Sequence, residues 1–339
     1  MLRKYIVKLQ DKERLSNNDF EEIVKIIADK SYDENQLSAL LVLISEESLT
    51  PEGLAAFVKN ILKYSSTFED KKAMIDVCGT GGDGFKTINI STATAFICGA
   101  LGVTVAKHGN RAVSSRSGSS DILDILNVPL ESSIDKQQHI LKNQNLSFFH
   151  APYFHKLVGE VKTLREKLGV RTVFNILGPL LHPNLSLKYQ LVGIYHKPVQ
   201  NLYAETLRHL GREHALIVRG NDGLDEISIT ADTEIIEVKQ NEIKKFSVSP
   251  EEYGFKRAPH NEITGGNPGE NAEILINILN GREKGAKRDI VVLNSMFALY
   301  TSDFSDSPEK AKIIIENALD SGHIYDYFRN YIDFLKEVS

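Results

Sequence analysis

Cysteine is scarce: Cys78 and Cys98 are the only two in 339 residues, too few for a disulfide framework and without the spacing of a zinc site. Long apolar runs are missing too; nowhere are about 18 consecutive residues apolar, so no membrane span is expected. The opening MLRKYIVKLQDKERL lacks the continuous apolar stretch of a signal peptide, and none is expected. Basic charge is not in excess. With 40 Lys and Arg against 45 Asp and Glu, the net charge is −5, and there is no basic tail. That balance argues against non-specific nucleic-acid binding, which needs phosphate neutralisation; taken alone, it argues against an anion binder. What these absences leave is a soluble metabolic enzyme, expected in the cytoplasm, with no nucleic-acid or membrane partner. At about 150 residues per domain the length predicts two domains. The composition, 42% hydrophobic and 25% charged, is that of an ordinary globular protein.

The first 65 or so residues read as three amphipathic helices. Asn17–Lys30 presents Phe20, Ile23, Ile26 and Ile27 on one face, after a capping box of Ser16 and Asp19. Asp33 caps a second helix with the stripe Leu37, Leu40, Leu41 and Ile44, and Thr50-Pro51 opens a third. From Ala73 the pattern changes. Short apolar runs (Ala73–Val77, Val103–Ala106, Leu146–Phe149, Tyr189–Ile194, Ala215–Val218) alternate with helical stretches (Thr92–Leu101, Ile134–Asn143, Tyr153–Leu168, Val199–Leu210). Such alternation predicts an α/β fold with a mainly parallel central sheet flanked by helices. Glu234–Val238 and Ile243–Val248 read as an appended hairpin, and helices return from Glu270 onward. The expected division is a small helical domain over residues 1–68, joined by a contribution from about 170–185, and a large α/β domain over 69–339.

Two consecutive strands each end in an anion-suited loop. The first carries Gly79-Thr80-Gly81-Gly82-Asp83-Gly84 before a helix, and backbone N–H groups there can cradle an anion. A P-loop needs lysine directly after the last glycine, where Phe85 stands. A dinucleotide site wants an acid about 20 residues on, and Gly99–His108 has none. The second loop runs from Lys107 to Ser119 and holds three fixed cations, one histidine, two glycines and four serines. Cations, hydroxyls and close-approach glycines suit a dense anion; a merely solvated basic loop is the alternative. Between them Asn89 reads as an N-cap, with Ser91 and Thr92 placed to reach a phosphate or a metal. Asp225-Glu226, past the strand ending at Val218-Arg219, offers hard oxygen ligands of the kind Mg²⁺ prefers, or else a solvated turn.

The ordered set GTGGDG (79–84), NIST (89–92), KHGNR (107–111) and SSRSGSSD (114–121) resembles the anthranilate phosphoribosyltransferase family. The likeness continues through RTVFNILGPLLHP (171–183), GNDGLDEISIT (220–230) and EKGAKRDIVVLN (283–294), and Arg116 stands where lysine is usual. The resemblance implies a nucleoside phosphorylase/phosphoribosyltransferase-like fold and transfer of phosphoribosyl from 5-phosphoribosyl 1-pyrophosphate to anthranilate in tryptophan biosynthesis. It implies phosphoribosyl-pyrophosphate contacts at Gly79, Gly82, Asp83 and Thr87 in the first loop, and at Asn89, Ile90, Ser91 and Thr92 where the helix begins. Further contacts are implied at Lys107, His108, Gly109, Asn110, Arg111, Ala112, Val113, Ser114, Ser115 and Ser119. It assigns anthranilate to Gly79, Asn110 and Arg165, and magnesium to Ser91, Asp225 and Glu226. An aromatic amine is neutral at pH 7, so no dedicated general base is required, and His108 is expected as a hydrogen-bonding wall. A homodimer through the helical domain is implied as well.

Three rivals are a pyrimidine nucleoside phosphorylase, a non-catalytic nucleic-acid-binding paralogue, and an NADP binder using Arg111. The full KHGNR with a following Asp-Glu pair speaks against the first, and the acid pair with the net charge against the second. Locality reconciles −5 with anionic substrates, since Lys107, Arg111 and Arg116 concentrate positive charge at one sheet edge.

Overall fold

The computed structural model describes residues 1–45, 47–111 and 118–338. Four helices open the chain: Arg3–Gln10, Asn17–Ala28, Glu34–Leu43 and Pro51–Leu62. The first of these was not expected, because its polar residues outweigh an apolar face of Tyr5 and Leu9 alone. The caps are as read: Ser16 and Asp19 form the reciprocal box, Asp33 accepts from the Gln36 N–H, and Thr50 accepts from that of Gly53.

Seven strands follow: β1 (Ile75–Gly79), β2 (Val105–Gly109), β3 (Leu146–His150), β4 (Tyr189–Gly193), β5 (His214–Gly220), β6 (Thr233–Lys239) and β7 (Glu242–Val248). They lie in the order β3-β2-β1-β4-β5-β6-β7; the first five are parallel, while β6 and β7 run antiparallel as the expected hairpin. The chain leaves β1 toward β2 on one side and β4 on the other. The crevice beyond the carboxyl ends of β1 and β4 is therefore the switch point where parallel sheets bind ligands.

Strand alternation divides the core between the two faces. Val77 and Leu191, cross-strand neighbours, pack with Phe96 and Met296 under the helices Ile90–Ala100 and Ala286–Thr301. The next pair, Cys78 and Val192, turns to the opposite face and packs with Phe57, Val58 and Tyr203. The helical bundle thus shares one apolar cluster with the sheet. Two crossings join them, where the Phe68 N–H donates to Pro183 O at 3.0 Å and the Leu185 N–H to Phe68 O at 2.9 Å. No helix among the described residues is long and apolar enough to cross a membrane.

Two expectations need correction. The helix expected over Tyr153–Leu168 is three pieces, Ala151–Phe154, Lys156–Glu160 and Lys162–Leu168. His155 breaks it with φ −120° and ψ 69°, its ring engaged at both nitrogens. The second strand runs to Gly109 rather than ending at Ala106, which puts Lys107 and His108 in the sheet and turns their side chains to opposite faces.

Candidate active site

β1 ends at Gly79, and the loop that follows bends through Gly81 (φ +66°) and Gly82 (φ +83°). The Gly81 N–H donates to Asp225 Oδ2 at 2.7 Å. Asp225 lies across the ends of two strands. A Cβ on Gly79 would come 2.5 Å from its Oδ2, and one on Gly193, at the end of β4, would overlap its carbonyl oxygen. Gly79 and Gly193 are cross-strand partners, so together they form a bare floor for the acidic loop. The need for glycine at 193 is set by a residue 32 positions later and has no local signal in the sequence.

Lys107 is 2% exposed and donates from Nζ to Val77 O at 2.6 Å and to Ser91 Oγ at 3.1 Å. Glu226 feels the Lys107 charge and accepts from the Ser91 N–H. Ser91, Asp225 and Glu226, the three residues assigned to magnesium, are therefore brought together around one lysine. Dehydration in the cleft, and then the neighbouring carboxylates, push both acids upward: Asp83 acts on Asp225, and Asp225 acts on Glu226. Crowded carboxylates facing a single ammonium form a donor set that favours a hard cation. A pair of acids and a hydroxyl suits Mg²⁺, which completes its shell with water and phosphate oxygens. Among the described residues no cluster of three His, Cys, Asp or Glu side chains could hold a metal ion.

Asn89 occupies the N-cap of the helix Ile90–Ala100, but its side chain makes no capping bond; its Oδ1 accepts from Asn271 Nδ2 at 3.0 Å. Ile90 and Thr92 are buried, and Thr92 Oγ1 finds no hydrogen-bond partner among the described residues. Thr87 bridges Thr264, and the Gly265 N–H donates to Lys86 O, so the 260–271 segment braces the glycine loop from outside. Asp83 turns back to accept from the Phe85 N–H at 3.1 Å.

His108 faces away from Lys107. Its N–H donates to buried Asp76, and its Nε2 pairs with His155 Nε2 at 3.2 Å, with His182 beside them. Burial and the neighbouring rings hold its imidazole well below the usual histidine range, so it is neutral at pH 7. Gly109 is packed against Ser119. Asn110 and Arg111 are exposed, and Arg111 bends back onto Asp121 at 3.1 Å and Asp124 at 2.8 Å. Ala112, Val113, Ser114, Ser115 and Arg116 lie outside the described residues.

Arg165 sits on a separate element. Its guanidinium lies 5.3 Å from the Phe174 ring centre, and its buried Nε has no hydrogen-bond partner among the described residues. Three residues before Phe174, Arg171 donates to Gly82 O at 2.8 Å and stacks on Tyr195 at 4.0 Å. That contact ties the segment after Arg171 to the glycine loop; in the sequence Arg171 only opens the mainly apolar run 171–183, with nothing local to mark its partner.

Residues 3–65 match the family described as "Glycosyl transferase family, helical bundle domain", and residues 71–325 its "a/b domain". An anthranilate phosphoribosyltransferase of Methanosarcina acetivorans is 41% identical, with all of this chain and 91% of that protein aligned. The chain belongs to the anthranilate phosphoribosyltransferase family. The same-named protein of Petrotoga mobilis is 37% identical over 100% of this chain and 98% of its own. Among solved members of the family, that of Thermus thermophilus superposes with a TM-score of 0.90 at 32% identity, covering 98% of this chain and 99% of its own. The Saccharomyces cerevisiae anthranilate phosphoribosyltransferase, solved in complex with PRPP and Mg, superposes at 0.89 with 26% identity over 99% and 98%. Membership makes this chain a glycosyltransferase, and the bundle-plus-sheet architecture is that of its family.

Proposed function

We propose that this chain transfers the phosphoribosyl group of 5-phosphoribosyl 1-pyrophosphate to the amine of anthranilate in tryptophan biosynthesis, releasing pyrophosphate and N-(5-phosphoribosyl)anthranilate. The observation that carries the reading is the meeting of Lys107, Ser91, Asp225 and Glu226 at the ends of β1, β2 and β5. In the reaction the anomeric C–O bond to pyrophosphate breaks, a C–N bond to the amine forms, and the amine loses one proton. The ribosyl centre becomes oxocarbenium-like, as in glycoside cleavage.

Mg²⁺, when bound by Asp225, Glu226 and Ser91, supplies neutralisation of the departing pyrophosphate. The chain's own residues supply the remainder. Lys107 is locked in one place by Val77 O and Ser91 Oγ, so its charge requires no reorganisation as negative charge develops on the leaving group. The N–H groups of the glycine loop, with Thr87 and Asn89, and the Lys107–Ser119 segment hold the donor. Gly79, Asn110 and Arg165 take the acceptor, the Arg165 fork matching its carboxylate. His108, neutral and enclosed, excludes water without moving a proton. Two copies pair through the helical bundle, a reading supported by exposed Val7 and Val42 on the helices Arg3–Gln10 and Glu34–Leu43.

The test mixes protein, Mg²⁺, phosphoribosyl pyrophosphate and anthranilate and follows loss of anthranilate fluorescence. Nicotinate and orotate in parallel should give no product. Phosphorolysis of a pyrimidine nucleoside with no anthranilate turnover would overturn the proposal.

A further inference from the structure

At the other end of β4 and β5 from Asp225 lies a cavity of about 340 Å³ that the transfer reaction does not use. It sits where the bundle meets the sheet: Lys59 and Leu62 come from the helix Pro51–Leu62, Leu180 and Leu185 from one crossing, and Leu210 and Arg212 from the approach to β5. Small-molecule pockets begin at roughly 300 Å³, so the space is that of a ligand rather than of a trapped water.

The lining has one sign of charge. No acidic side chain lines it among the described residues. Arg212 is 6% exposed; its Nε donates to Gln190 Oε1 at 3.1 Å and its Nη1 to Leu187 O at 3.1 Å, while its Nη2 makes no hydrogen bond to any described residue. Burial lowers its pKa only to about 10, so it remains cationic. Buried Asp76 acts on it electrostatically and shares Gln190 with it as a hydrogen-bond partner, without a direct ion pair among the described residues. Lys59 donates to a neutral carbonyl, His209 O at 3.1 Å, and has no ion-pair partner among the described residues; Lys63 is already paired with Glu21. His182, fully buried in the wall, uses both ring nitrogens, on Ala106 O and the Asn184 N–H, and offers nothing further. The rest of the lining is four leucines, Leu62, Leu180, Leu185 and Leu210, with the neutral polar side chains of Thr67 and Asn184.

We propose that this cavity is a second ligand site, taking a small organic carboxylate with an aliphatic body. The carboxylate meets the free Nη2 of Arg212 and the Lys59 ammonium, and the body lies against Leu62, Leu180 and Leu210. Bare phosphate satisfies the cations but leaves the leucine walls uncovered. A flat aromatic acid is better served by the acceptor side of the catalytic cleft. Because Thr67 and Leu185 line the cavity and belong to the two crossings, its occupant braces the junction of bundle and sheet.

The experiment titrates hexanoate into the full chain by calorimetry with anthranilate held at saturation, which keeps the probe off the acceptor site and needs no turnover. Hexanoate is expected to bind, and Lys59→Glu to weaken it about tenfold or more. Leu185→Trp, at the exposed mouth, is expected to fill the space and abolish binding. Neither substitution touches the catalytic cleft, and anthranilate affinity serves as the control for folding. No binding to the unmodified chain, binding unchanged in both variants, or inorganic phosphate binding as tightly as hexanoate each overturns the proposal. All three outcomes are independent of the transferase assay.

Discussion

Lys107 Nζ stands 3.1 Å from Ser91 Oγ, the ammonium at the end of one strand fixing the first turn of the helix that follows another. The pair joins the two anion-suited loops into one site. Removing the charge while keeping the volume, in Lys107→Met, should lower kcat about a hundredfold or more, because a pre-organised contact to the leaving group is lost. Melting temperature should fall, since the buried acids lose the one ammonium that faces them and Val77 O loses its donor. Steady-state fluorescence assays and a thermal melt check both halves.

Asp225→Asn combined with Glu226→Gln should remove metal-dependent turnover without unfolding the chain, since neutral amides relieve the like-charge crowding. Activity is measured against Mg²⁺ concentration. Near-normal activity in the double variant sinks the metal assignment.

Gly193→Ala tests the floor beneath the acidic loop. Its Cβ has no room beside the Asp225 backbone, so the loop must shift. Overpacking of this kind costs roughly 1–3 kcal/mol, read as a lower urea midpoint, and the Mg²⁺ concentration for half-maximal activity should increase.

Arg165→Ala should raise KM for anthranilate about tenfold or more while leaving that for the pyrophosphate donor nearly unchanged, as expected when a carboxylate fork is lost. Equal rises in both constants would make Arg165 structural, a brace for Phe174 alone.

Acid should loosen the core behind the site. Burial holds His155 at about 4, against an ordinary value near 6.5. Between those values the unfolded chain binds the proton and the folded chain does not, so stability is present above about 6.5 and is lost as pH falls toward 4. The difference is worth roughly 3 kcal/mol at most for this one ring. Urea midpoints at pH 7 and pH 5 should diverge, and His155→Gln should narrow the gap.

Local chemistry was legible in the sequence wherever it is decided by neighbours a few residues apart. The Ser16–Asp19 box, the Asp33 and Thr50 caps and the strand–helix alternation are such cases. So was the glycine loop, whose turn residues name themselves. What stayed hidden depends on distant partners. Gly81 and Asp225 are 144 residues apart, and the glycine at 193 makes sense only once Asp225 lies over it. The break at His155 is similar: the apolar spacing permits one helix, but a ring held by Ser65 on one side and His108 on the other pulls the backbone out of it. Lys107 also reads as a loop residue until its strand partners are known.

The apolar cluster in which Phe57 and Val58 of the bundle meet Val192 and Ile217 of the sheet has an evolutionary corollary. A chain cut near residue 65 would leave that sheet face wet and the Phe57–Val58 face of the bundle uncovered. Exchanging the helical segment for another would have to preserve that shared face as well. A change on the face falls on both parts at once, whereas a change in an outer loop falls on one.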